Sequence, residues 1–202
     1  TAVFQLDGPG PAGFWQIEGI ARWVAGQLPL TTVYLKSQSR EINQSRTLLG
    51  HPPAAPVSFL ENGLQITVDV VRGQKTGFFL DQRENRWHVG QVAANRPTLN
   101  LFGYTGGFSV AAGRGQAPQV ITVDSATPAL EAADYHWRLN GLPPEAHHTV
   151  AADVFDYLNQ QARLNRQWEL VIADPPPFAS SKETVKQAIG AYQKLIATAA
   201  TV

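Results

Sequence analysis

The sequence predicts an α/β protein in which a doubly wound, parallel sheet follows a small α+β unit. Three observations carry that prediction. From Asp81 onward, short apolar runs alternate with segments of helical period, and strands joined by helical crossovers must pair in parallel. Each of those runs ends in a glycine-rich or acidic stretch. The first 75 or so residues instead combine one amphipathic helix with a hairpin signal.

The composition is that of ordinary globular protein, with 202 residues, 44% of them hydrophobic, and 16 basic against 16 acidic side chains. A neutral balance argues against binding nucleic acid by bulk charge alone, while leaving room for a local basic face. No apolar run approaches the ~18 residues of a membrane-spanning helix. The stretch from Thr1 to Asp7 has neither the basic start nor the apolar core of a secretory signal. With no cysteine there is no disulfide, thiolate metal site or thiol nucleophile in these residues, and a reducing, cytoplasmic location is expected. Methionine is also absent and the first residue is threonine, so the chain is expected to be part of a longer protein.

The elements follow in order. Phe14, Trp15, Ile17, Ile20, Ala21, Trp23, Val24 and Leu28 recur at helical spacing, predicting a helix over 12–28 closed by Pro29. Thr31 to Leu35 reads as a strand, 36–46 shows no clear period, and 50–56, with three prolines, reads as a linker. Val57 to Leu60 and Leu64 to Val71 flank Asn62-Gly63, the strongest short hairpin signal. The domain division is therefore expected after residue 75. Asp81 is expected to cap a helix reaching about Asn95, where Arg96-Pro97 ends it. Strands are then expected at 98–102, 119–123, 148–152 and 168–173. The helices between and after them are expected to end near Gly113, to span 126–140 and 154–166, and to span 182–200, with Gly141 stopping the second.

In such sheets ligands bind beyond the carboxyl ends of the strands, near the point where strand order reverses. There the sequence puts Asn100, Phe102, Gly103, Tyr104, Thr105, Gly106 and Gly107 after the first strand, Asp124 after the second, Asp153 after the third and Asp174 after the fourth. The glycines fall at the wrong intervals for a dinucleotide fingerprint or a P-loop. With Asp124 at the spacing of a ribose-binding carboxylate, the pattern points to a nucleoside cofactor such as S-adenosylmethionine. Asp174-Pro175-Pro176 makes a stiff loop able to hold a carboxylate against a flat substrate, with Phe178 available to stack on a flipped base. The five histidines show no metal-ligand spacing, and His147-His148 reads as a solvated turn. No G-x-S-x-G elbow supports a hydrolase.

Three stretches, GQKTGFFLDQRENR at 73–86, LNLFGYTGGFS at 99–109 and DPPPFASSK at 174–182, together resemble the bacterial 23S rRNA methyltransferases of the cytosine-C5 type. The resemblance is close over 57–202 and loose over the first 50 residues. It implies a Rossmann-like class I methyltransferase domain that uses S-adenosylmethionine, with 23S rRNA as partner, no membrane association, and a homodimer left open. By the same resemblance, Phe79, Gln82 and Arg83 would close over the methionine end of the cofactor. Asn100, Phe102, Tyr104, Thr105 and Gly106 would cradle that end, Asp124 and Ser125 would meet the ribose, and Asp153 and Val154 the adenine. Asp174, with Pro175 and Phe178, would hold the target base, and Arg72 and Lys75 would contact phosphate. The pattern is also expected to depart from the family: these residues are not expected to include its N-terminal PUA domain, their sheet is expected to be shorter, and they hold no cysteine to add to cytosine C6. Methylation at guanine N7, which needs no covalent nucleophile, is the enzymatic alternative. Amino-group methylation of adenine fits less well because Pro177 stands where that class has an aromatic residue. A noncatalytic cofactor- or RNA-binding module is the alternative outside enzymes.

Overall fold

The four apolar runs of the second half form a single parallel sheet, and their order in it decides where a ligand can sit. In a computed structural model, which describes residues 1–6, 13–37, 45–52, 56–73, 76–179 and 181–202, the chain divides into two compact units. One comprises 1–59 and 67–81, and the other 60–66 and 82–202. The division expected after residue 75 thus falls after Asp81, and the tip of the hairpin belongs to the second unit.

In the first unit, β1 (Ala2–Leu6) and β3 (Arg46–Gly50) flank β2 (Thr32–Ser37), parallel and antiparallel to it respectively. The central position explains why Thr32 through Lys36 are all buried. The sequence reading missed both outer strands. Edge strands here are only half-buried, so Arg46–Gly50 and Ala2–Leu6 carry little of the apolar alternation that identifies a strand. The helix expected over 12–28 is α1 (Ile17–Gln27), which buries Ile17 and Ala21. Burial of Lys36 pushes its ammonium below the usual lysine range, opposed by Asp69, and the ammonium donates to the Gly73 carbonyl.

The hairpin forms as expected. Strands β4 (Val57–Glu61) and β5 (Leu64–Val68) turn at Asn62 and Gly63, both with positive φ (50° and 80°), the conformation of the tight turn that Asn-Gly favours. Its tip is held by the second unit at two points. The Glu61 carboxylate accepts two hydrogen bonds from the Arg86 guanidinium at 2.6 and 2.8 Å, with both side chains about 5% exposed or less. The Asn140 side chain meets both backbone groups of Gln65, each at 2.8 Å, standing in for a neighbouring strand.

A short 3-10 turn (Leu80–Gln82) spans the division, and α2 (Arg83–Val92) follows in the second unit. Asp81 does not cap this helix: it lies in the 3-10 turn, and the capping position is Gln82, whose side chain makes no cap bond. Then follow β6 (Thr98–Leu101), α3 (Gly107–Arg114), β7 (Val120–Asp124), α4 (Thr127–Leu139), β8 (His147–Ala151), α5 (Val154–Arg163), β9 (Leu170–Ala173) and α6 (Val185–Ala199). The sheet order is β8-β7-β6-β9, every pair parallel. Strand β6 is central, and all four of its residues are buried. Leu99 and Leu101 face a core built with Val123, Val154, Leu158 and Leu195. Val110, Ala112, Val120 and Trp137 form a second core together with Leu64 of the hairpin. From β6 the chain winds outward through β7 and β8, then returns to β9 on the other side of β6, so strand order reverses between β6 and β9.

Removing one partner of the Glu61–Arg86 pair strands a buried charge. Arg86→Leu should therefore cost about 3 to 5 kcal/mol, and adding Glu61→Met should return most of it. Urea unfolding followed by tryptophan fluorescence measures both.

Candidate functional site

The segment leaving β6 is conformationally strained at the end of the strand. Phe102 and Tyr104 both adopt left-handed backbone (φ 55° and 46°), a region costing about 1 to 3 kcal/mol for residues with a Cβ and concentrated at functional sites. Gly103 between them has no room for a side chain: a Cβ there would lie 2.3 Å from Thr122 Cγ2 and 3.1 Å from Asn100 Nδ2. Gly106 (φ 76°) is similarly pressed on Ala133 of α4, where a Cβ would approach to 2.6 Å. The loop is therefore seated on β6, β7 and α4 at once.

Hydrogen bonds fix that seat. The Gly103 N–H donates to Val123 O at 3.0 Å, and the His136 ring donates through Nδ1 to Thr105 O at 2.8 Å. One Asp124 oxygen accepts the Tyr104 N–H and the other the Ala126 N–H, each at 2.9 Å. A carboxylate offers about four lone-pair directions, so this half-buried group retains acceptor capacity. Ser125 beside it is exposed.

Beneath the loop runs a chain of buried polar groups. The Asn100 amide donates through Nδ2 to Ser109 Oγ (2.8 Å), Ser109 Oγ meets Thr122 Oγ1 (2.6 Å), and Thr122 Oγ1 meets His147 Nε2 (2.8 Å). His147 Nδ1 lies 3.0 Å from Asp134 Oδ1, at ion-pair distance but off the line of a hydrogen bond. Its ring stacks on Trp137 at 4.6 Å. Asn100 Oδ1 is buried and takes no hydrogen bond among the described residues. Burial pushes His147 below the usual imidazole range, as do His148 and Arg138 to a lesser degree, while Asp134 opposes them.

The other expected site residues are scattered in environment. Asp174 is exposed and Pro175 half-buried at the end of β9, across the reversal point from the β6 loop. Asp174 and Gln82 line one open cleft of about 360 Å³ with Asn85, His88 and Phe108. Arg83 is exposed, its Nη2 3.5 Å from Asn62 Oδ1. The Phe178 ring packs among Tyr192, Phe155 and Phe102, at 4.7 to 6.2 Å between ring centres, so packing already accounts for the aromatic that the sequence reading placed on a base. Asp153 is the N-cap of α5, with Oδ1 accepting the N–H groups of Phe155 and Asp156, and the Val154 side chain lies in the core. Arg72 and Phe79 belong to the first unit, and Lys75 lies outside the described residues.

One expectation needs correction. His147 is not in a solvated turn: it opens β8 and is buried, while His148 is exposed. Ser109, Thr122, His136 and His147 went unnoticed as site residues. The one available signal was Thr122, a hydroxyl inside the otherwise aliphatic run Val120-Ile121-Thr122-Val123. Among the described residues no cluster of metal-ligating side chains occurs, and no helix is long and apolar enough to cross a membrane.

Comparison with known proteins gives this arrangement a family. The model of a family described as S-adenosylmethionine-dependent methyltransferase matches residues 14–197. A Photobacterium profundum protein named ribosomal RNA large subunit methyltransferase I is 40% identical over 173 residues, which are 83% of this chain and 44% of that protein. The Shewanella amazonensis protein of the same name is 35% identical over 199 residues, 96% of this chain and 50% of that protein. A solved structure described as a methyltransferase complexed with SAH superimposes with a TM-score of 0.84 at 32% identity, over 99% of this chain and 52% of that one. The chain thus spans about half the length of the curated relatives it matches. It belongs to the S-adenosylmethionine-dependent methyltransferase family.

Gly103→Ala should lower stability by about 1 to 3 kcal/mol through overpacking, and Thr122→Ser in the same chain, which removes the opposing methyl, should recover part of it; thermal melts decide. Stability should also respond to pH. The native His147 resists protonation, whereas the unfolded chain takes up that proton near the ordinary value of 6.5, so stability present above pH 6.5 is lost as pH falls below it. Urea unfolding at about pH 7.5 and about pH 5.5 should show a smaller loss in His147→Gln than in the parent.

Proposed function

We propose that this member of the methyltransferase family transfers the methyl group of S-adenosylmethionine to a base of 23S rRNA, cytosine at C5 in the first instance. The observation that carries the cofactor reading is the half-buried Asp124 carboxylate beside the strained loop at the point where strand order reverses. The curated relatives, named as large-subunit rRNA methyltransferases, support the substrate.

The residues present fit the cofactor. The lone pairs that Asp124 does not spend on Tyr104 and Ala126 suit two ribose hydroxyls, and Ser125 adds an exposed hydroxyl next to them. The unpartnered Asn100 Oδ1 beneath the loop is an acceptor awaiting a donor. Phe102, Tyr104, Thr105 and Gly106 supply the loop for the methionine end, and Gln82 and Arg83 enter the reading on their motif. Asp153 keeps one carboxylate oxygen beyond its capping bonds for the adenine side, and Val154 shapes that wall. Phe79, Arg72 and Lys75 enter this reading on their motif alone. The bound cofactor supplies an electrophilic methyl on a sulfonium, and its charge needs no metal. What the chain contributes is position: Asp174, on the stiff Pro175-Pro176 loop, accepts hydrogen bonds from the target base and holds its plane, and a base held in line and shielded from water reacts faster without any covalent help from the loop.

A second reading has an observation in its favour. Cytosine C5 becomes nucleophilic only after a group adds to C6, and the 202 residues hold no thiol. Guanine N7 is nucleophilic unaided. Nucleoside analysis of unmodified rRNA incubated with this chain and labelled cofactor separates the two. The C5 reading requires a thiolate supplied from outside these 202 residues, so no labelled 5-methylcytidine is expected from them alone, and its appearance would refute the thiolate requirement. Labelled 7-methylguanosine would move the assignment to N7.

Asp124→Ala should weaken S-adenosylhomocysteine binding by about 2 to 3 kcal/mol, roughly 30- to 150-fold, in calorimetric titration. Unchanged affinity in a folded variant would remove Asp124 from the ribose site. Binding of rRNA by this chain should be weak with a shallow salt slope, given its neutral charge, and nanomolar affinity at physiological salt would contradict that.

A further inference from the structure

The buried chain from Asn100 to Asp134 admits one consistent arrangement of its protons when His147 is neutral. An Asp134 carboxylate oxygen lies 3.0 Å from Nδ1, off the line of a hydrogen bond, and its negative charge favours a proton on Nδ1 over a lone pair there, which leaves Nε2 as an acceptor. Thr122 must then donate to Nε2, Ser109 must donate to Thr122, and the Asn100 amide must donate through Nδ2 to Ser109. Every hydroxyl points the same way, and Asn100 Oδ1 is left without a donor.

Protonation of His147 reverses this order. Nε2 becomes a donor, so Thr122 accepts from it and donates to Ser109, and the Ser109 proton needs a new acceptor. Asn100 Oδ1 has no partner, and turning the amide over puts it where Nδ2 now meets Ser109 Oγ. That amide lies directly beneath the Gly103 seat.

We propose that His147 is a positioning residue for the strand-end loop: acting through Thr122 and Ser109, its protonation state decides which face of the Asn100 amide lies beneath Gly103, and so how firmly the loop holds an adenosyl ligand. This rests on the cofactor reading above. In the acid arrangement the loop loses a buried acceptor and gains a buried cation, both unfavourable to the ammonium and sulfonium of S-adenosylmethionine. The charged and titratable groups facing His147 are Asp134 and Arg138 from α4 and His148 on its own strand; β7 presents the neutral Thr122, and Trp137 covers the ring. The transition lies on the acid side of the usual imidazole range because burial outweighs Asp134. His136 also touches the loop, at Thr105 O, by a route that bypasses Thr122.

Thr122→Val is the discriminating variant, since it keeps the branched shape under Gly103 and the His147–Asp134 contact while cutting the relay. Calorimetry with S-adenosylmethionine should show affinity in the parent falling about tenfold between about pH 7.5 and about pH 5, and this dependence should vanish in Thr122→Val and in His147→Gln. In the ligand-free chain, the Asn100 side-chain amide and the Gly103 N–H should follow the same titration by nitrogen NMR, and stay flat in Thr122→Val. A parent with flat NMR titrations, or a folded Thr122→Val retaining the parent's pH dependence, overturns the proposal. Failure of S-adenosylmethionine to bind at either pH refutes the cofactor reading, and the NMR titration still decides the relay. If Thr122→Val melts below the working temperature, Ser109→Ala cuts the relay one link further on and should flatten the same profiles.

Discussion

The Asp124 carboxylate is the tie on which the strand-end geometry depends. Two loops leave neighbouring parallel strands, and each would otherwise place a backbone N–H at the strand end with no partner. By taking one N–H from each, Asp124 joins them across the gap and holds Tyr104 in a backbone region that a tyrosine enters only at a cost. A strained residue persists only where its surroundings over-determine it, and here the Gly103 seat, the Val123 carbonyl and His136 all act on the same few residues. The same tie gives the acidic residue at this position a structural role of its own, holding two strand-end loops together.

Strand β6 has two unlike faces. Leu99 and Leu101 pack into an aliphatic core, whereas Asn100 turns its amide into a polar chain that crosses β7 to reach β8. Buried polar groups cost free energy unless each is paired, and a chain of them fixes geometry because every donor's direction constrains the next. An aliphatic layer would tolerate small slips of β7 past β6. The polar layer does not, and it lies directly below the loop whose placement matters.

The hairpin tip shows the same logic. It joins the second unit through a buried ion pair and an asparagine that completes a strand edge, together with Leu64 in the core. Apolar contact alone would leave the register of so short a hairpin weakly determined. Glu61 and Arg86, bonded at two points, admit one register.

The sequence by itself determined the order of strands and helices in the second unit, the Asn-Gly turn, and the placement of Asn100, Phe102 to Gly106, Asp124 and Asp174 at strand ends, because alternation, turn chemistry and apolar runs are local properties written in consecutive residues. It did not determine β1 and β3, whose half-buried faces carry no clear period until they pair with β2. Nor could it reveal that Asp153 caps a helix, that Phe178 packs among other rings, or that His147 is buried against Trp137 rather than solvated. Each of those depends on partners 10 or more residues away or on which of several hydrogen bonds a side chain forms. Only the tertiary structure decided that Asn100, Ser109, Thr122 and His147 are one hydrogen-bonded unit with Asp134 at ion-pair distance from its end, since a parallel sheet brings residues from separate strands side by side, and nothing in the spacing of Thr122 and His147 along the chain encodes that adjacency.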